Sequence, residues 1–486
     1  ELAIYINDEE TNTIPSKEGN IYDETRSSCT NGAYIIWDYE SWSPVVKNMN
    51  EYKTKCELYF KTGYKESILN GTDPVLKDPL IPVTIENDGT VKKADIGSEW
   101  YNYANKEWAN AVILFDESED YLAGEVIPEE KIESYFVWIP KYRYQLWDLG
   151  NYDSLTNIDT SKVHEISILF GDYNTSDDVS GECTTPITSG ATGNCTVGDY
   201  MTHPAFLSIP STGFWVGKFE TGTTITGDYN VRNGEAIQIK PNISSWRNIQ
   251  VANAFYTSYD YQRNLDSHMM KNTEWGAVAY LQHSAYGSAT SVRINSNSDY
   301  ITGYAANNEP TCGYTATNEE CNRHCNDGTC NTAYPNSILA STTENITGIY
   351  DMSGGAWEYV MGIMVDEEGK PMSGKNSLYN SGFNGAFGCP TCDNDTSGLI
   401  SLIDGYAWPE SKYYDTYQYH TSVQNFQRRI LGDTTGEMGS FNTTTYFTEI
   451  SQIGSWYSDQ SVFVASVCLW VARGGAFSHG LNDGTF

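Results

Sequence analysis

The 486-residue chain is poor in positive charge. It has 29 Lys plus Arg against 63 Asp plus Glu, a formal net charge of −34. Binding to nucleic acid through phosphate neutralisation needs clustered basic residues, so nucleic acid is excluded as a partner. Adsorption to an anionic membrane surface is disfavoured for the same reason. No apolar run reaches the roughly 18 residues that a membrane-spanning helix needs. The chain also lacks a nucleophile elbow, a phosphate-binding glycine loop, a His-Glu-x-x-His pair and any fixed-period repeat. Its seven histidines are scattered: 164, 203, 268, 283, 324, 420 and 479. None has short metal-ligand spacing outside one cysteine-rich loop.

Aromatic residues are abundant. They make up 13% of the chain, and the 36 tyrosines alone outnumber the 29 Lys plus Arg. That content argues against disorder. At roughly 100–200 residues per domain the length allows two to four domains with ordinary cores. Eleven cysteines fall in local clusters within Gly/Asn/Thr-rich sequence, a pattern that reads as loop-stapling disulfides in an oxidising compartment. The expected pairs are Cys29–Cys56 and Cys183–Cys195. Two further bridges are expected among Cys312, Cys321, Cys325 and Cys330, and a short one joins Cys389 to Cys392 in "CPTC". Cys468 is then left over. A zinc knuckle in "CNRHCNDGTC", completed by His324 or Cys312, is the rival reading, but its spacing matches no well-known zinc pattern. The chain begins at Glu1 rather than Met, so its numbering is expected to start after a removed leader or anchor.

Residues 1–62 are expected to form a small β domain from "ELAIYIN", "AYIIWDYESW" and "KCELYFKTGY". Residues 63–80, with two prolines and turn residues, read as a linker. From residue 81 onward, short strands alternate with long polar loops. "YFVWIPKYRYQLW" (135–147) and "GFWVGKFETG" (213–222) are the strongest strands, and Pro140 places an edge or a bend in the first. Two amphipathic helices are expected. One covers 246–262, capped by Ser244 or Ser245. The other covers 273–283, capped by Asn272 or Thr273, with Trp275, Val278 and Ala279 on one face. Segments 288–346 and 364–425 are long and polar, as loop elaborations of a scaffold are. Sequons at Asn70, Asn194, Asn242, Asn345 and Asn442 are common enough by chance in so Asn- and Thr-rich a chain.

Four blocks in order carry a resemblance: "GFWVGKFE" (213–220), "HMMKNTEWGAVAYL" (268–281), "GIYDMSGGAWEYVMG" (348–362) and "WVARGGAF" (470–477). Together they resemble the formylglycine-generating-enzyme (sulfatase-modifying factor) branch of the C-type-lectin-like fold. Asp351, Met352, Gly354, Trp357 and Glu358 match its most specific loop, with Gly355 where the family usually has Asn. The resemblance covers about residues 81–486 and implies an α+β fold, a C-type-lectin-like module with long loop insertions after the small disulfide-tied β domain. The family normally continues past its Arg-Gly-Gly strand to a closing strand, so the module is expected to lack that strand. Trp275, Trp357 and the Arg473-Gly474-Gly475 bend read as structural, and Glu358 as an acceptor of backbone N–H bonds.

More narrowly, "FVWIPKYRY" (136–144), "THPAF" (202–206) and "SCTNG…KCELYF" resemble a group of bacterial surface proteins. In these, the segment corresponding to 454–484 is diversified by mutagenic retroelements. The implied location is extracellular or cell-surface. The implied activity is non-catalytic binding of a protein or glycan. The residues expected to carry it are Trp456, Tyr457, Asp459, Phe463, Phe477, His479, Asn482 and Asp483, whose aromatic and adaptable polar side chains suit recognition. The family's oxidases use a cysteine pair after the Arg-Gly-Gly strand with copper, and "GGAFSHGLNDGTF" has no cysteine, so catalysis is not expected. Ca²⁺ is compatible with the many Asp, Asn and carbonyl groups, and such folds often hold it. No EF-hand-like spacing exists, and no ligands are assigned. The alternative is a filament or pilus-like subunit whose exposed β edges pair with copies of itself.

Overall fold

The computed structural model describes residues 34–38, 43–47, 70–145, 166–173, 200–288 (without 210, 244 and 248), 332–365, 399–403, 406–418, 432–434, 453–454, 460–461 and 470–475. The chain divides into two compact units, Glu1–Gly71 and Thr72–Phe486. The division falls inside the proline-containing stretch 63–80. In the first unit, strands Tyr34–Asp38 and Ser43–Lys47 pair as an antiparallel hairpin, Tyr34 opposite Lys47.

The second unit is a mixed α+β structure dominated by strands. Its main sheet contains β1 (Ile81–Ile85), β2 (Val91–Lys93), β3 (Asn110–Leu114), β4 (Ile132–Pro140) and β5 (Gly213–Gly217), in the order β5-β4-β3-β1-β2. Every pairing is antiparallel, and register sets Trp215 opposite Trp138 and Asn110 opposite Val137. β4 ends at Pro140. The chain turns at Lys141 and continues as Tyr142–Gln145 in a different, three-stranded sheet with Ser167–Phe170 and Met201–Thr202. Pro140 therefore marks a bend, as its missing N–H requires.

Two longer helices follow. α1 (Val251–Tyr261) buries Val251, Ala252, Phe255, Tyr256 and Tyr259 on one stripe, as an amphipathic helix does. It begins later than the expected residue 246, with Gln250 at the cap position; Ser245 does not cap it, and Ser244 lies outside the described residues. Ser245 instead donates to the Glu220 carboxylate, and Trp246 N–H donates to Thr221 O. Residues 245–246 are thus committed to the strand-side segment, and Asn230 receives the N–H of Gln250 at the helix start at 2.8 Å.

α2 (Asn272–Gln282) is buried along its whole length, not on one face. It lies inside the main apolar core, where Trp275, Val278, Tyr280 and Leu281 meet Val360, Met361, Ile363 and Val471. Its cap residue is Lys271, so Asn272 and Thr273 are already helical. The free N–H of Thr273 is satisfied by Asp415 Oδ2 at 2.8 Å, an acceptor distant in sequence. Asp415 opens β7 (Asp415–Gln418), which runs parallel to β6 (Glu358–Val365). β8 (Trp470–Arg473) is antiparallel on the other side of β6. A second apolar core, with Val83, Val112, Leu114, Ile132, Tyr135, Phe219, Ile237 and Tyr350, fills the space against the main sheet.

Candidate functional site

The recognisable blocks converge where α2, β6 and β8 meet. Arg473 is fully buried. Its Nε donates to Asn272 Oδ1 at 2.8 Å, Nη1 to Thr434 Oγ1 at 2.8 Å, and Nη2 to the carbonyl of Asp433. The planar guanidinium directs its donors to three separate acceptors, which a lysine could not reproduce. Asp433, also fully buried, accepts from the Tyr417 hydroxyl. Segment 432–434 is therefore locked between α2, β7 and β8. Gly276 makes this approach geometrically feasible, because a Cβ there would lie 1.9 Å from Gly432 O. Gly474 and Gly475 both hold positive φ (78° and 75°), and Gly474 O receives the N–H of Gly354 at 2.8 Å. The Arg-Gly-Gly bend and the Asp351–Glu358 loop are tied by that bond.

Next to this junction lie three carboxylates: Glu220 beyond β5, Asp351 and Glu358. Asp351, Gly354 and Gly355 all have positive φ. Glu220 accepts from Ser245 Oγ and from Ala356 N–H at 2.7 Å. Burial, with the neighbouring Asp351 charge, pushes its pKa up to about 8. Burial, with the charges of Glu220 and Asp351, holds Glu358 well above the usual carboxylate range. Glu358 Oε2 is sealed from solvent and has no hydrogen-bond partner among the described residues. The expectation that Glu358 accepts backbone N–H bonds is thus not met at this oxygen; Glu220 takes the Ala356 N–H instead. Among the described residues no group of three or more His, Cys, Asp or Glu is placed to hold a metal ion.

Lys218 and His203 are sealed inside the scaffold. Lys218 Nζ donates to Asn110 Oδ1 at 2.9 Å, Ile346 O at 2.7 Å and Gly348 O at 2.8 Å, one acceptor for each ammonium hydrogen. Burial pushes its pKa down. His203 sits among the rings of Tyr142, Tyr144, Phe206 and Tyr280, and burial lowers its pKa to about 3, so it is neutral. His268 pairs with Glu274 at 3.1 Å and shares its Nδ1 with Asp266 O at 2.7 Å.

Of the residues singled out in the sequence, the structure brings together Trp275, Asp351, Gly354, Trp357, Glu358, Arg473, Gly474 and Gly475. Trp275 is buried and Trp357 half-buried. Trp456, Tyr457, Asp459, Phe463, Phe477, His479, Asn482 and Asp483 lie outside the described residues, as do all eleven cysteines. Sequence reasoning missed Lys218, Glu220, Asp415, Tyr417, Asp433 and Thr434. Lys218 and Glu220 carried a signal, since they are charges within an aromatic strand block. Asp433 and Thr434 carried none, being polar residues in a long polar stretch. No protein-family model matches the chain, and no curated protein matches it significantly.

Proposed function

We propose that the chain is a non-catalytic extracellular binding protein of bacterial-surface type. In this reading a C-type-lectin-like module of formylglycine-generating-enzyme ancestry presents residues 454–484 to a protein or glycan. The observation that supports it is the anchoring of Trp470–Gly475. This stretch is buried throughout and is held through Arg473 to α2 and to segment 432–434. The polar-aromatic residues before and after it therefore start from a fixed base. A fixed frame with variable flanks is what a recognition surface requires.

The reading is tested at the nucleotide level. In a diversified binder, substitutions within one bacterial population concentrate in 454–486 and fall at adenine-rich codons for Asn, Ser, Asp and Tyr. Uniform sequence there sinks the proposal. Conversion of a sulfatase-type cysteine peptide to an aldehyde by the purified protein overturns the non-catalytic part.

A further inference from the structure

His268 lies in the turn between α1 and α2, and its ring touches three parts of the chain. Nδ1 faces the carbonyl of Asp266 at 2.7 Å, and Nε2 faces Glu274 Oε1 at 3.1 Å. The ring also packs on that of Tyr413, with centroids 5.3 Å apart. A carbonyl can only accept. The ionised carboxylate of Glu274, which also takes the Lys271 N–H at 2.8 Å, can only accept as well. Both ring nitrogens must therefore carry a proton. A neutral imidazole has one N–H and would turn a lone pair toward one of the two oxygens, so these contacts select the imidazolium.

The same turn holds a segment far along the chain. The Asp266 carboxylate takes Lys412 Nζ at 3.1 Å and the Tyr413 hydroxyl. Phe255 and Tyr259 of α1 also contact the Tyr413 ring. Residues 411–413 lead directly into β7, where Asp415 takes the Thr273 N–H at 2.8 Å and pairs with Lys271 Nζ at 3.4 Å. The segment is thus fixed at two points. At 412–413 it is held through Asp266 and His268; at 415 it is held by the start of α2. Only the first point involves the imidazole.

Among the described residues, the charged and titratable groups around the ring are Asp266 in the turn, Lys271 and Glu274 at the start of α2, and Lys412, Tyr413 and Asp415. Burial, followed by the hydrogen bond to Asp266, raises the Tyr413 hydroxyl well above its ordinary range, so it keeps its proton where a histidine titrates. Burial alone would lower the pKa of His268, but Glu274 and Asp266 outweigh it, and the imidazolium persists to higher pH than in the unfolded chain. We propose that His268 is a proton-operated latch on residues 410–413. As an imidazolium it holds the Asp266 turn, the start of α2 and Tyr413 together. When pH rises and the proton leaves, one ring contact is lost, and the turn and residues 410–413 loosen while Asp415 stays anchored to α2. The latch does not depend on what residues 454–484 bind.

The test uses the full chain. Isotope-labelled histidine gives the His268 titration by NMR, with the resonance assigned from His268→Gln or Glu274→Gln. Hydrogen exchange by mass spectrometry, corrected for the intrinsic pH dependence of amide exchange, is followed over the same pH range. Exchange in peptides covering 263–268 and 410–413 should rise roughly tenfold as His268 titrates, the factor expected for one lost hydrogen bond to a charged group. Exchange in β6 should not step. Glu274→Gln removes the charge that favours the imidazolium, so the titration and the exchange step should move together to lower pH. His268→Gln should abolish the step. The proposal is overturned if exchange at 410–413 stays flat through the His268 titration of the unaltered chain, a comparison that needs no variant to fold. It is also overturned if the step survives in His268→Gln, or if β6 loosens to the same degree, which would make the transition global.

Discussion

Arg473 offers the sharpest test of how the junction is built. Replacement by Met keeps much of the side-chain volume but removes all three donors. Asn272 Oδ1, Thr434 Oγ1 and the Asp433 carbonyl then lose a charged partner in a fully buried site. Each buried polar group left unsatisfied costs about 1–3 kcal/mol. The three losses share one network and do not add, so the expected total is about 3–5 kcal/mol, the range for breaking a buried ionic contact. Arg473→Lys keeps the charge but cannot reach three divergent acceptors, and about 2 kcal/mol is expected. Urea unfolding followed by tryptophan fluorescence measures both. A double-mutant cycle with Thr434→Val should return a coupling of about 1 kcal/mol between the two side chains. If Arg473→Lys lies within about 0.5 kcal/mol of the unaltered protein, or the cycle is additive, the guanidinium fork is not what holds segment 432–434.

Gly276→Ala should destabilise by about 1–3 kcal/mol through overpacking, although Ala is the better helix former, because its Cβ would strike Gly432 O; thermal melts decide this. Burial alone would lower the pKa of His268, but Glu274 and Asp266 outweigh it and the net shift is upward. Its contribution is therefore complete below the unfolded-state pKa and lost as pH rises through the folded one. Burial would raise Glu274, but His268 and Lys271 bring it down, so its contribution is lost as pH falls. These two groups contribute a plateau between those limits, and His268→Gln should remove the alkaline shoulder and also shrink the acid limb, because His268 is the main group that lowers Glu274. Glu220, pushed up to about 8, works in the opposite sense. The unfolded chain loses this proton first, so stability should decline from the ordinary carboxylate range toward pH 8. Glu220→Gln should flatten that decline in urea titrations run at several pH values.

The strands near Trp138 and Trp215 and the helix 272–282 are legible in the sequence, because apolar period and block motifs dominate there. Helix starts are not. Sequence capping rules look for a nearby Ser, Thr, Asn or Asp, and α2 is instead capped by Asp415 from a strand far along the chain. The burial of α2 on all sides is equally invisible: Asn272, Thr273, Glu274 and Gln282 look solvent-facing, yet all four are buried, Asn272 and Thr273 through long-range hydrogen bonds to Tyr417 and Asp415. The same holds for the junction. Arg473 is prominent as a motif residue, but its partners at 433–434 come from a polar stretch with no periodicity.

Gly355 and Glu220 together close the turn within residues 351–358. Gly355 adopts a left-handed backbone at φ 70°, a conformation that Asn also tolerates. An Asn in this chain would meet Glu220, because a Cβ at residue 355 would lie 2.0 Å from Glu220 Oε1. That same oxygen accepts the N–H of Ala356, the residue immediately after the turn. The glycine and the glutamate are therefore one local solution: the absence of a side chain at position 355 makes room for a carboxylate supplied from just beyond β5. Burial, with the adjacent Asp351 charge, raises the pKa of that carboxylate, and this is the energetic consequence of closing the turn with an acid. The turn is thus capped by an acceptor from outside the loop, supplied just beyond β5.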